Sequence, residues 1–356
     1  MPLDDTLQER RSDYDVTNRV QVSSPAAVRA AAQEIFGELY PMCSFDPLWL
    51  AFHDFERFFW GLDPEYYGVD TAYHDVQHTL DMTLAFARLV AGHEGTAEPK
   101  DRLGPQRASV ALITALFHDA GYLRHRDKDR DHASGAEFTL SHVSRSAAFI
   151  DRYLPRIGLE EFSRIARQVV HFTGYEKNLD NIELDDPRDT VVGHLLGTAD
   201  LIAQLSDRCY LEKCRDRLFP EFVLGGIAIE EGSGNSGTLV RYRSGQDLLA
   251  KTLAFYQNSA RQRLERTFNK AYRYVEAFLG GRNLYVTFIQ KNLSYLKTVQ
   301  VSQDWGKLRR HPPCTMPDPT GEARMTALAV QHIRRLATME KIVLKSRQGL
   351  EPALSY

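Results

Sequence analysis

Residues 108–122 read ASVALITALFHDAGY. The first ten of them carry no charge. A run of that length is too short to cross a membrane and reads as a core helix buried on all sides. Gly121 marks its end. The flanking segments repeat the helical period. From Ser24-Pro25 the stretch AAVRAAAQEIFGELY carries an apolar stripe at Val28, Ile35 and Leu39. A second helix is expected over residues 47–61, with Leu50, Phe52, Phe55, Phe58 and Phe59, and a third over 71–91. In the third, Val76, Leu80, Leu84 and Ala87 share one face. Ser134 and Glu137 have capping-box spacing and are expected to open a helix that runs to about Tyr153, before Pro155. Further helices are expected over 159–172, stopping at Gly174, and over 190–208. Residues 247–300 read as two long helices joined near Gly280-Gly281, and 321–345 as a last amphipathic helix. Residues 225–237 are the most flexible-looking stretch, a lid or an ordinary surface loop. Residues 311–319, HPPCTMPDP, form a turn-rich linker. There is no internal repeat and no convincing strand series, so the fold class is all-α. The expected organisation is an N-terminal polar segment and helix (1–46), with 1–24 loosely ordered, a helical core (47–220) and a C-terminal helical extension packed on it (221–356).

The bulk composition narrows the function classes. The chain has 356 residues, 43% hydrophobic and 26% charged, with a net charge of −3. That balance is globular and argues against general nucleic-acid binding. The four cysteines show no CxxC spacing and read as reduced thiols. With no membrane-length apolar run and no signal-peptide core at MPLDDTLQERR, a cytoplasmic location is expected. The twelve histidines are unevenly spread: nine lie between His53 and His171. That half of the chain is where chemistry is expected.

Three stretches carry it. In TAYHDVQHTLDM, residues 71–82, a helix would place His74, His78 and Asp81 on one stripe. Two imidazoles one turn apart can serve as two ligands, or as a ligand and a proton donor; a solvent-exposed polar face fits this stretch equally well. In ALFHDAGY, His118 and Asp119 end the most hydrophobic helix, where an imidazole and a carboxylate are costly unless paired or bound to metal. In LLGTADLIAQL, Asp200 sits among Leu195, Leu196, Ala199, Leu201 and Ile202, and needs a partner that a metal or an arginine could supply.

Together these residues spell H…HD…D, each part on a different helix. The pattern resembles the HD superfamily of metal-dependent phosphohydrolases, most closely the catalytic domain of class I cyclic-nucleotide phosphodiesterases and their bacterial relatives. Tyr73-His74-Asp75-Val76-Gln77-His78-Thr79-Leu80-Asp81-Met82 stands where that family carries YHNxxHxxDV. The resemblance covers residues 47–220. It implies an HD-domain helical bundle in which His78, His118, Asp119 and Asp200 bind a first metal, Asp119 bridges to a second, and His74 is the general acid. It implies two divalent ions (iron, manganese, zinc or magnesium) and a phosphate-containing, nucleotide-like substrate hydrolysed by a metal-activated water. The pattern departs at Asp75, which replaces the family's Asn, and at Gly121-Tyr122-Leu123, where the phosphodiesterases carry a further His. Gln257 and Gln290 are the candidates for the purine-binding Gln.

His142 and His171 have spacings that resemble a different HD branch, in which two more histidines hold a second iron and some members are oxygenases. Each also has an ordinary structural reading, His142 as a surface or packed histidine and His171 at a helix end, where an imidazolium favours the dipole. His125 and His132 read as solvated, Arg124 to Arg130 as a charged turn, and Glu137 as a helix cap. A third possibility is a metal-binding signalling module without turnover. The long C-terminal helices would suit a homodimer, or simple packing against the core.

Overall fold

The computed structural model describes residues 10–230 and 239–338. Helices dominate it: α1 (Pro25–Leu39), α2 (Asp46–Phe59), α3 (Val76–Thr96), α4 (Gly104–Leu116), α5 (His142–Arg156), α6 (Ser163–Val169), α7 (Pro187–Ser206), α8 (Tyr210–Lys213), α9 (Phe219–Leu224), α10 (Gly245–Phe255), α11 (Tyr274–Phe278), α12 (Leu284–Ser302) and α13 (Gly321–Thr338). The strands β1 (Ile229–Glu230) and β2 (Leu239–Val240) form one antiparallel pair, with Ile229 opposite Val240. The class is all-α, as the patterning implies.

Helix α3 is the hub. It packs against α1, α4, α7 and α11, and α7 in turn carries α12 on another side. The uncharged face of α4 is fully enclosed, with Leu112, Ile113, Ala115 and Leu116 inaccessible to solvent. Aromatic rings close the core on one side: Phe58 and Phe117 lie 6.3 Å apart, and both contact Phe149 of α5, at 5.1 and 5.2 Å. No helix among the described residues is long and apolar enough to cross a membrane.

Several sequence expectations are corrected. The third helix starts at Val76 rather than 71. Asp75 is its N-cap and accepts from the His78 backbone N–H at 2.9 Å, while the Thr71 hydroxyl donates to the His74 carbonyl at 2.6 Å and fixes the preceding turn. His74 therefore lies before the helix, off the stripe that carries His78. The Ser134–Glu137 capping box forms, but it closes a single 3-10 turn over Gly135–Phe138. The long helix begins instead at His142, where the distant Glu176 carboxylate accepts the Val143 and Ser144 N–H groups.

The first of the two long C-terminal helices is broken. Asn269 and Lys270 adopt positive φ after a run of π-type turns, leaving only the short α11 before Gly280 and Gly281. Residues 10–24 are not loose. Arg10 donates to the Ser206 carbonyl at 2.7 Å, and buried Asp15 pairs with Arg88 at 2.6 Å. Most of the flexible-looking segment (231–237), the end of the last helix (339–345) and residues 1–9 lie outside the described residues.

Candidate metal centre

Helix α4 ends at Leu116, and Phe117 to Asp119 turn out of it before a 3-10 turn at Ala120–Tyr122. That turn removes the roughly 100° divergence that neighbours on a helix would have. His118 and Asp119 both face the side of α3 that carries His78, and Asp200 enters from α7. His118 Nδ1 donates to the Ala115 carbonyl at 2.8 Å, so Nε2 presents a lone pair.

Four side chains then converge. Asp119 Oδ2 lies 3.1 Å from His118 Nε2 and 3.3 Å from His78 Nε2. Asp200 Oδ1 lies 3.4 Å from His78 Nε2 and 3.9 Å from His118 Nε2. Ligands ~2.1 Å from a shared cation at ~90–110° stand about 3.0–3.4 Å apart, the spacing three of these four contacts show. His118 Nε2, Asp119 Oδ2 and Asp200 Oδ1 are also buried without a hydrogen-bond partner among the described residues. Buried polar atoms are seldom left so, and three aimed at one point fit a missing ligand. The buried group His78, His118 and Asp119 could hold a metal ion.

The electrostatics agree. Burial opposes a charge on His78, yet the Asp119 and Asp200 carboxylates outweigh it and hold the imidazole up at about 10. Burial raises Asp119, but the imidazoles of His118 and His78 outweigh it and hold the carboxyl well below its usual range.

His74 meets the centre from the turn before α3. Its Nδ1 lies 2.6 Å from Glu221 Oε2, and Glu221 Oε1 accepts the Tyr73 N–H at 2.5 Å and the His74 N–H at 3.3 Å. Glu221 is wholly buried and was missed by sequence reasoning. Its one signal is a carboxylate inside the apolar run LFPEFVL, on the far side of the chain from the motif. His74 stacks on Tyr122 at 4.6 Å, and Tyr122 stacks on His142 at 4.5 Å.

His142 is the first residue of α5, not mid-helix. Its Nδ1 donates to the Thr139 carbonyl at 2.7 Å, and its Nε2 lies 3.9 Å from Asp119 Oδ1, the carboxylate oxygen turned away from His78 and His118. Burial pushes its pKa down. His171 stays apart. Its 3-10 turn, Val170–Thr173, packs on α7, it does not line the cleft, and no ion pair or hydrogen bond among the described residues joins it to the centre. Burial, helped by Lys177, lowers it to about 4. Asp81 also leaves the stripe and lies in the charge network of Arg10, Asp207, Asp15 and Arg88. Asp75 serves the helix N-terminus and Thr315.

The centre forms the floor of a cleft of about 140 Å³. Tyr73, Tyr175, Tyr210, Phe222, Tyr242 and Phe255 build much of its wall, and Lys251 is its one lining lysine. Gln204, which accepts from the Tyr73 hydroxyl at 3.2 Å, is the glutamine that lines it. Gln257 and Gln290 are exposed on α10's extension and on α12 and do not line it.

Fold and site thus define an all-α protein with a buried His/Asp group able to hold a metal at the base of an aromatic cleft. The chain matches the Npun_R2479-like family over residues 64–293, well over half its length, and it belongs to that family. That span contains His74, the metal group and Glu221. No curated protein and no solved structure matches the chain.

Proposed function

We propose that the protein is a metal-dependent hydrolase of the HD type, acting on a phosphoester or phosphodiester of a nucleotide-like small molecule. The observation that carries this reading is the convergence of His78, His118, Asp119 and Asp200 through atoms that have no other use. Bound there, a divalent metal supplies Lewis-acid polarisation of a phosphoryl oxygen and brings a water's pKa toward neutrality. His78 and His118 supply neutral nitrogens, and Asp119 and Asp200 the negative charge that a cation needs.

His74 is placed for the leaving group. Glu221 holds the Nδ1 proton at 2.6 Å and orients the ring, which leaves Nε2 to deliver a proton in the cleft. The aromatic wall suits a flat, largely apolar moiety, and Gln204 adds polar recognition beside it. His142, 3.9 Å from the second oxygen of Asp119, would help hold a second ion together with that carboxylate. The oxygenase alternative would need His171 as well as His142, and His171 does not line the cleft.

The test is metal content per chain after purification without chelator, for the wild type and Asp119→Ala, beside hydrolysis of bis(p-nitrophenyl) phosphate and cyclic nucleotides. One or two ions per chain, lost in the variant together with turnover, is the expected result. Absence of both bound metal and affinity for added Mn²⁺ or Zn²⁺ would overturn the reading. Bound iron with oxygen uptake and no hydrolysis would replace it with the oxygenase.

A further inference from the structure

A second cavity, of about 230 Å³, lies between the charged loop that follows His118-Asp119 and the C-terminal half of α5. It is lined by Glu65, Tyr66, His125, Lys128, Phe149, Arg152, Tyr153 and Arg156. Its floor is aromatic. Phe149 and Tyr153 stack 5.9 Å apart, and Tyr66 meets Phe149 at 5.8 Å and the His125 ring at 5.3 Å.

Its rim is cationic. Arg152 and Arg156 stand one turn apart on one face of α5, and Lys128 faces them from the loop. Among the described residues, none of these three side chains has an ion pair or a hydrogen bond. The neighbouring arginines do: Arg124 pairs with Asp70, Arg145 with Asp129 and Arg57 with Asp54. Three unspent cations therefore stand against one lining carboxylate, Glu65, on a chain whose net charge is −3. Helix α5 separates this cavity from the metal centre. His142 begins the helix and Arg156 ends it, about 20 Å away at 1.5 Å per residue.

We propose that this groove is a second binding site, for a small organic phosphate that carries a flat ring: a nucleotide whose phosphates meet Arg152, Arg156 and Lys128 and whose base rests on the Tyr66 side of the aromatic floor. Arginine forks match phosphate oxygens in pairs, and an aromatic floor takes any base by its face. The site goes beyond the metal chemistry and does not depend on it.

The experiment is isothermal titration of the full chain, treated with chelator so that the cleft holds no metal, with ADP and with inorganic pyrophosphate. ADP is expected to bind at one site per chain, and pyrophosphate at least tenfold more weakly, since it lacks the ring. The double variant Arg152→Gln/Arg156→Gln is expected to weaken ADP at least tenfold, and Lys128→Gln less. All three residues are solvent-exposed, so the fold survives their replacement, which an unchanged melting curve verifies. ADP binding unaltered by the double variant, or absent at millimolar concentration, would overturn the proposal. So would binding of a single-stranded oligonucleotide without binding of ADP.

Discussion

Glu221 sets what His74 can do. A buried carboxylate on one ring nitrogen fixes the imidazole's orientation and leaves the other nitrogen to the cleft, where the proposed hydrolysis would use it. Glu221→Gln keeps the shape and the hydrogen bonds but removes the charge. It is expected to lower kcat by about 10–100-fold at unchanged metal content. A variant that lost metal in parallel would instead show that Glu221 holds the fold of the centre. The motif His78, His118-Asp119, Asp200 is legible in the sequence because it places polar groups in apolar runs at a recognisable spacing. Glu221 is not legible, because its partner is 147 residues away.

At the scale of elements, the centre depends on where α5 begins. Gly121 allows the loop after the HD pair to touch that helix: a Cβ at this position would stand 1.8 Å from the His142 carbonyl oxygen and 2.8 Å from the Ser146 nitrogen, both backbone atoms. Gly121→Ala must therefore push away the turn of α5 that carries His142. It is expected to destabilise the protein by about 3 kcal/mol, at the upper end for overpacking. Gly37→Ala, in open space on α1, is expected to be neutral or to stabilise by roughly 0.5–1 kcal/mol. Urea unfolding midpoints of the two variants would check the contrast, and equal midpoints would refute the close-packing account. The helical period predicted α1, α2, α4 and α7 well. It placed the starts of α3 and α5 wrongly, because Asp75 and Glu176 choose them by capping, and Glu176 does so from another part of the chain.

At the scale of the whole molecule, a buried charge network ties residues 10–24 to α3 and α7. Asp81 lies inside it, and burial, only partly offset by Arg10, pushes its carboxyl up from 3.8 to about 7. Between those two values the folded chain keeps a proton that the unfolded chain has lost. Stability from this group is thus complete below pH about 4 and falls as the pH rises toward 7. Asp81→Asn removes that slope. Its unfolding free energy is expected to exceed the wild type's at pH 8 by roughly 1–3 kcal/mol, with the two converging near pH 4. Parallel curves from pH 4 to 8 would rule out Asp81 as the titrating group.

The all-α class, the buried character of α4 and the set of residues worth suspecting follow from local order alone, because period, apolar runs and motif spacing are short-range properties. Which suspects meet is a long-range matter. Packing of α3 on α4 and α7 brings His78, His118, Asp119 and Asp200 to one point, sets His142 at the other oxygen of Asp119 and leaves His171 on its own turn. It also ties down residues 10–24, which local polarity marks as loose, burying Arg10, Asp15, Val16 and Val22, since Asp15 and Arg88 satisfy each other only across the tertiary fold. Charge and hydrogen-bond satisfaction inside a core depend on partners far along the chain, and those partners are assigned only when the helices dock.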